Sequence, residues 1–145
     1  DIRSDCRPLN HLMEAVIEAA PGVRCARDAT RGGLASALNE ISQASAIGIE
    51  IDEARLPMRA EVKGVCELLG LEPLYLANEG ALVLFVPEEQ AEAALAAMRS
   101  TEAGRDAAII GRAAEMRSPR VVMHSLFGGS RIVDMLVGEQ LPRIC

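Results

Sequence analysis

The strongest constraint on the fold of this 145-residue chain is the alternation of two hydrophobic periodicities along it. Residues 9–20 and 34–46 carry apolar side chains three or four positions apart, which is typical of amphipathic helices. Residues 47–51 carry apolar side chains at alternate positions, and residues 81–86 are a short apolar run, and both patterns are typical of strands. Alternating segments of this kind build helices that pack on a sheet. We therefore predict an α/β fold, an α+β sandwich with helices packed on a mixed sheet.

The length of the chain allows one domain with a substantial core and is too short for two. The run at 81–86 is apolar without interruption, which predicts a strand buried on both faces. We also predict a strand at 107–112. There is no Trp, one Tyr and two Phe, so aliphatic side chains must build the core.

The composition argues against two classes of partner. Binding of single-stranded nucleic acid uses aromatic stacking platforms, for which this chain has too few aromatic residues. A net charge of −6 also disfavours a phosphate backbone. No apolar run approaches the roughly 20 residues of a membrane span. We therefore predict neither a nucleic-acid nor a membrane partner.

The four cysteines stand far apart in the sequence, at Cys6, Cys25, Cys66 and Cys145. Because none belongs to a C-x-x-C pair, we predict no metal site. We expect Cys25 and Cys66 to be buried as small hydrophobic residues. Cys145 is different, because it is the last residue given.

The sequence R-D-A-T-R-G-G-L at 27–34 lies between a predicted strand and a predicted helix. Asp28 or Thr30 could cap that helix by accepting from its free backbone N–H groups. Gly32 and Gly33 would permit a close approach of a ligand or of another chain. Arg31, beside the start of the helix, would suit an anion. The alternative is an ordinary helix start without a ligand.

A second motif, A-N-E-G at 77–80, directly precedes the apolar strand. Glu79 could act as a general base. Asn78 could orient an amide, and Gly80 would keep the backbone accessible. The alternative is a turn with one solvated glutamate.

The last stretch, 137–145, has no periodic pattern and is predicted to be a flexible tail ending in Leu-Pro-Arg-Ile-Cys. A thiol there would be a mobile nucleophile or carrier, and ten extended residues from Leu136 would span roughly 33–36 Å. A free thiol has a pKa of about 8.5, so a partner must activate or capture Cys145. The alternative is a cysteine that occurs there by chance.

Three motifs together, D-A-T-R-G-G-L (28–34), A-N-E-G (77–80) and P-R-I-C (142–145), resemble the HypE family of NiFe-hydrogenase maturation factors. That family belongs to the aminoimidazole ribonucleotide synthetase-like superfamily. Of the three motifs, the P-R-I-C ending is the one most specific to the HypE family. The resemblance implies a C-terminal α/β domain at 1–136 followed by the tail at 137–145. It also implies that an N-terminal ATP-binding domain is missing from this chain.

The resemblance further implies a reaction. HypF would carbamoylate Cys145, and the S-carboxamide would be dehydrated with ATP to a thiocyanate. The cyanide would then pass to the HypC–HypD complex for the iron of NiFe-hydrogenase. Glu79 would be the base or the amide anchor. The other cleft residues implied are Asp28, Thr30, Arg31, Gly32, Gly33, Asn78 and Gly80.

The same resemblance implies ATP with Mg²⁺ as cofactors, bound mainly by the missing domain, and a cytoplasmic full-length homodimer. The present chain alone would then be inactive. Two other functions are open. One is an ATP-dependent enzyme of the same superfamily acting on a free small molecule, which the terminal cysteine argues against. The other is a non-catalytic interaction domain with the same fold.

Overall fold

A computed structural model of the chain describes residues 4–136 and Gly138. The rest of the predicted tail, including Cys145, lies outside the described residues. The helices are α1 (Asn10–Ala19), α2 (Gly33–Ser45), α3 (Ala60–Leu69) and α4 (Ala91–Arg99). The strands are β1 (Cys25–Asp28), β2 (Gly48–Asp52), β3 (Leu82–Phe85), β4 (Gly111–Ala114), β5 (Val121–His124) and β6 (Ser130–Val133). Short 3₁₀ turns occupy Glu53–Arg55, Pro73–Tyr75 and Glu88–Gln90.

The described strands form two sheets rather than one. The larger sheet has the order β4-β2-β5-β6, in which β2 is antiparallel to β4 and parallel to β5, and β5 is antiparallel to β6. The smaller sheet is the antiparallel pair β1–β3, with Cys25 opposite Phe85 and Asp28 opposite Leu82. The predicted α/β class with a mixed sheet is therefore confirmed. The sequence did not predict that the strands divide into two sheets.

Two apolar cores lie on either side of the smaller sheet. In the first, α2 packs on the larger sheet through Leu38 and Ile41. In the second, α1 meets α4 through Leu12, Val16 and Ala94. Full burial of each large aliphatic side chain contributes about 1.5–3 kcal/mol to folding, so these two clusters dominate the stability.

Strand β3 contributes to both cores, because alternate residues of a strand point to opposite faces. Val83 and Phe85 pack in the first core, whereas Leu82 and Leu84 pack in the second. The prediction that this strand is covered on both faces is thus confirmed, although Val83 is its one buried residue and the other three are half-buried.

The predicted strand at 107–112 was wrong in its position, since β4 begins at Gly111. Ile110 packs against the first core instead of belonging to the strand. A Cβ added at Gly111 would lie 2.0 Å from the carbonyl oxygen of Glu50. The strand therefore begins at the residue that allows β2 to approach this closely.

Across the part of the chain that the structure describes, no helix is both long enough and apolar enough to cross a bilayer.

Candidate functional site

The loop at 28–33 and the turn at 77–80 meet at Ala29, which is buried. The N–H of Asn78 donates to the carbonyl of Ala29 at 2.9 Å, and the N–H of Ala29 donates to the carbonyl of Ala81 at 3.1 Å. Both motifs border the same end of the β1–β3 pair, where Asp28 lies opposite Leu82. The structure therefore brings together two motifs that are about 50 residues apart in the sequence.

The two glycines of the loop have left-handed backbone conformations. Gly32 has a φ of 69° and is the N-cap of α2, and Gly33 has a φ of 61°. A Cβ added at Gly33 would lie 2.5 Å from the carbonyl oxygens of both Leu74 and Leu76. The close approach predicted at Gly33 is thus made by the chain's own backbone.

The prediction that Asp28 or Thr30 caps α2 was wrong. The N-cap position belongs to Gly32, and no side chain makes a capping hydrogen bond there. Instead, the carbonyl of Thr30 accepts from the N–H of Gly33 at 3.0 Å, which closes a tight turn before the helix. This turn stands between the two residues and the start of the helix. The side chains of Asp28 and Thr30 line an adjacent pocket instead of capping the helix.

That pocket has a volume of about 420 Å³ and is lined by Arg27, Asp28, Thr30, Arg31, Ala37 and Glu40. Arg27 lies 2.5 Å from the carboxylate of Glu40 and 3.7 Å from that of Asp28. Arg31 is exposed and forms no ion pair with another described residue. A guanidinium and the hydroxyl of Thr30 are groups that suit a phosphate or an amide.

Arg27 and Glu40 are site residues that the motifs alone did not predict. Ala37 and Glu40 come four and seven residues after Gly33, so they lie on the same face of α2 as the start of the helix. That spacing is the sequence signal that could have identified Glu40. The ion pair also explains Arg27, because it holds the guanidinium in the pocket wall.

The N-E-G turn presents Glu79 to solvent, and no hydrogen bond or ion pair joins it to another described residue. Asn78 donates its side-chain N–H to the carbonyl of Leu76 at 2.7 Å, which stabilises the turn. Glu79 follows Asn78, whose backbone N–H bonds to the pocket loop at Ala29, but Glu79 is not among the described residues that line the pocket.

The prediction of an accessible backbone at Gly80 was wrong, because the N-terminal segment covers this residue. The N–H of Gly80 donates to the carboxylate of Asp5 at 3.3 Å. A Cβ added at Gly80 would lie 1.6 Å from the carbonyl oxygen of Asp5. Gly80 therefore anchors the segment that precedes α1.

The described cysteines differ in exposure. Cys66 is buried, as predicted, and burial, with a smaller contribution from Glu72, raises the pKa of its thiol. The prediction that Cys25 is buried was wrong, since this residue is half-buried, although it does pack against the first core. Cys6 is exposed. Neither Cys25 nor Cys66 thus has the exposed thiol of a reactive cysteine.

The residues from 4 to 136 contain no group of three His, Cys, Asp or Glu side chains that could hold a metal ion. The two histidines make local contacts, His11 with Glu14 and His124 with Ser130.

A known domain family, AIR synthase related protein, C-terminal domain, matches residues 1–124. The chain belongs to this family. This AIR synthase related domain is 64% identical over 145 residues to the carbamoyl dehydratase HypE of Rhodobacter capsulatus. That match covers the whole chain and 43% of the relative, so the chain spans less than half the length of the curated relatives it matches. The resemblance inferred from the motifs is confirmed.

Solved structures agree with the fold of this AIR synthase related domain. It superimposes with a TM-score of 0.94 and 44% identity on the hydrogenase maturation protein HypE in complex with ATP, covering all of this chain and 44% of that one. Against a chain of a HypE–HypF complex the TM-score is 0.88 at 44% identity, covering 93% of this chain and 44% of that one.

The contact at Gly33 allows a first test of how the site is built. We expect Gly33→Ala to lower the free energy of unfolding by about 2–5 kcal/mol, because a Cβ there adds left-handed strain and overlaps two carbonyl oxygens. Gly64→Ala is the matched control. No atom lies within 4 Å of its added Cβ, and alanine in a helix should raise stability by about 0.5–1 kcal/mol. Urea unfolding of both variants measures the difference, and equal stabilities would contradict the described packing.

Proposed function

We propose that this domain is the C-terminal part of a carbamoyl dehydratase of the HypE type, which converts an S-carboxamide on Cys145 to a thiocyanate. The observation that carries the proposal is the hydrogen bonding of the D-A-T-R-G-G loop to the N-E-G turn through Ala29. That bonding joins the turn that carries the exposed Glu79 to the loop whose Asp28, Thr30 and Arg31 line a polar pocket. The similarity to HypE over the whole chain supports the same reaction.

The chemistry requires the amide oxygen to leave and both N–H protons to be lost. Water or hydroxide is a poor leaving group, so phosphorylation of the oxygen by ATP allows it to leave as phosphate. The nitrogen then gives up two protons as the carbon–nitrogen triple bond forms. Each turnover thus consumes one ATP and yields ADP, phosphate and the thiocyanate. This assigns the protein two tasks, which are to accept protons and to hold the carboxamide.

We assign proton transfer to Glu79, because a carboxylate is a suitable general base. Glu79 is exposed and forms no ion pair with another described residue. Asn78 holds the turn in shape through its bond to Leu76. Thr30 and Arg31 offer a hydroxyl and a guanidinium to the carboxamide or to a phosphate. Gly32 and Gly33 set the loop geometry that presents them.

We assign residues 1–136 to the folded domain and 137–145 to a flexible carrier tail. Cys145 is then a tethered substrate carrier rather than a catalytic nucleophile. It must accept a carbamoyl group from HypF and afterwards release cyanide to the HypC–HypD complex for the iron of NiFe-hydrogenase. A carrier at the end of a tail serves these separate sites better than a cysteine fixed in a core.

The described residues offer no cluster for a metal ion. We propose that ATP and Mg²⁺ are bound mainly by an N-terminal domain, as the HypE resemblance implies, and that the full-length protein is a cytoplasmic homodimer. ATP supplies the phosphoryl group that activates the amide oxygen. This chain supplies the proton acceptor, the pocket and the carrier.

The deciding experiment uses the full-length protein with HypF, carbamoyl phosphate and ATP, followed by the mass of the C-terminal peptide. We expect the mass of a carbamoylated and then of a dehydrated Cys145. Turnover of a free small-molecule amide without any change at Cys145 would instead favour another enzyme of the superfamily. No chemical change of either kind would favour a non-catalytic interaction domain.

A further prediction concerns the isolated chain. Because we assign most of the nucleotide site to the missing domain, we expect 1–145 alone to hydrolyse ATP no faster than buffer. Phosphate release measured beside the full-length protein checks this. Robust hydrolysis by the isolated chain would contradict the division of the ATP site between two domains.

A further inference from the structure

The end of β6, from which the C-terminal segment departs, is held by two side chains from elsewhere in the fold. Asn39, which is buried in α2, donates its side-chain N–H groups to the carbonyls of Ala35 at 2.9 Å and Val133 at 2.8 Å. The hydroxyl of Tyr75 donates to the carbonyl of Asp134 at 2.9 Å. Two consecutive carbonyls at the base of the segment are therefore fixed by contacts that cross the domain.

Both anchors belong to the elements that build the candidate site. Asn39 lies on α2, the helix that begins directly after the D-A-T-R-G-G loop. Tyr75 is the last residue of the Pro73–Tyr75 turn. The carbonyl oxygens on either side of it in sequence, those of Leu74 and Leu76, lie close to Gly33. It also precedes Asn78 by only three residues. The anchors thus couple the base of the segment to the loop and to the N-E-G turn.

Two further contacts agree with this placement. Arg131 on β6 lies 2.7 Å from the carboxylate of Glu72, the residue that precedes the Pro73–Tyr75 turn. The side chain of Leu136 lies 3.7 Å from the position of a Cβ at Gly32, so the chain passes beside the pocket loop as it leaves β6. The departure point and the candidate site are therefore neighbours.

The two anchoring groups are chemically suited to a permanent contact. Burial is the largest cause that raises the pKa of Tyr75, so its hydroxyl remains a protonated donor at neutral pH. The buried side-chain amide of Asn39 donates to two backbone carbonyls. Loss of these bonds would be unfavourable, because burying an amide without hydrogen-bond partners costs free energy.

We propose that Tyr75 and Asn39 are positioning residues that fix where the carrier segment leaves the domain, so that the carboxamide on Cys145 reaches the N-E-G turn. This inference rests on the proposed function. Residues 136–145 can extend over at most roughly 33–36 Å, so the location of their base limits where the thiol can go. Fixing the base raises the effective concentration of the carboxamide at the turn, as for any tethered reactant.

Tyr75→Phe in the full-length protein tests the proposal, because it removes one hydroxyl and keeps the ring. We expect carbamoylation by HypF and binding of ATP to match the wild type, since both occur without the carboxamide at the turn. We expect single-turnover dehydration of the loaded protein to slow by about tenfold, because the tether is no longer aligned. Quenched-flow sampling with the mass of the C-terminal peptide measures both steps.

Thr101→Val is the matched control, since the hydroxyl of Thr101 also donates to a backbone carbonyl, that of Met98 at 2.7 Å, far along the chain from the segment. We expect its dehydration rate to equal that of the wild type. An unchanged rate in Tyr75→Phe, or a loss of carbamoylation in proportion to dehydration, would overturn the positioning role while leaving the proposed function standing. Absence of thiocyanate from the wild-type protein would refute the proposed function itself.

Discussion

We expect Cys145→Ala in the full-length protein to abolish thiocyanate formation without lowering the melting temperature. The sulfur of Cys145 is the atom to which we assign the carboxamide, so its removal leaves ATP and the base without a substrate. The residue lies outside the folded domain that we assign to 1–136, which is why the stability should not change. The mass of the C-terminal peptide after reaction with HypF, carbamoyl phosphate and ATP measures the effect.

Cys6→Ala provides the control for this experiment, because Cys6 is exposed and could be modified non-specifically. We expect this variant to form thiocyanate at the wild-type rate. Cys66 is a weaker competitor, since it is buried and burial raises the pKa of its thiol. If Cys145→Ala still gave product, or if Cys6→Ala lost it, the carrier would have been assigned to the wrong cysteine.

Glu79→Gln has the second largest effect we expect, a slowing of dehydration by about 10²–10⁴-fold, which is typical of the loss of a general base. Glutamine keeps the shape of the side chain but cannot accept a proton at neutral pH. Binding of ATP and carbamoylation of Cys145 should not change, because neither requires that base. Single-turnover dehydration of protein carbamoylated in advance isolates the step.

Glu88→Gln is a suitable control, as Glu88 is another exposed glutamate, on the 3₁₀ turn that precedes α4. We expect it to behave as the wild type. An unchanged rate in Glu79→Gln would remove Glu79 from the mechanism. A parallel loss of ATP affinity would assign it to nucleotide binding instead.

Local patterns were sufficient to predict the elements and the class of the fold. The helical spacing at 34–46 corresponds to α2, and the apolar run at 81–86 contains β3 with a core on each face. Both rest on side-chain periodicity, which a single segment carries by itself. The motifs were also sufficient to indicate the family, because their residue types and order are written directly in the sequence.

Features that depend on distant segments were not predictable from the sequence alone. The contact of Gly33 with the carbonyls of Leu74 and Leu76, and the cover of Asp5 over Gly80, each join residues far apart in the chain. The helix cap was wrong for a related reason, since the left-handed turn at Gly32 moved the helix start beyond Asp28 and Thr30. Glu40 was missed because its pairing with Arg27 requires β1 and α2 to be side by side.

The position of the β1–β3 pair between two cores has a consequence for how the domain opens. These strands pair with each other, and side chains of β3 pack into a different core on each face. Separating them would expose apolar surface on both sides at once, so local fraying at Ala29 is costly. We therefore expect the backbone amides at the junction of the two motifs to exchange with solvent mainly through global unfolding. A ligand that binds at this junction would accordingly stabilise the whole domain rather than one loop.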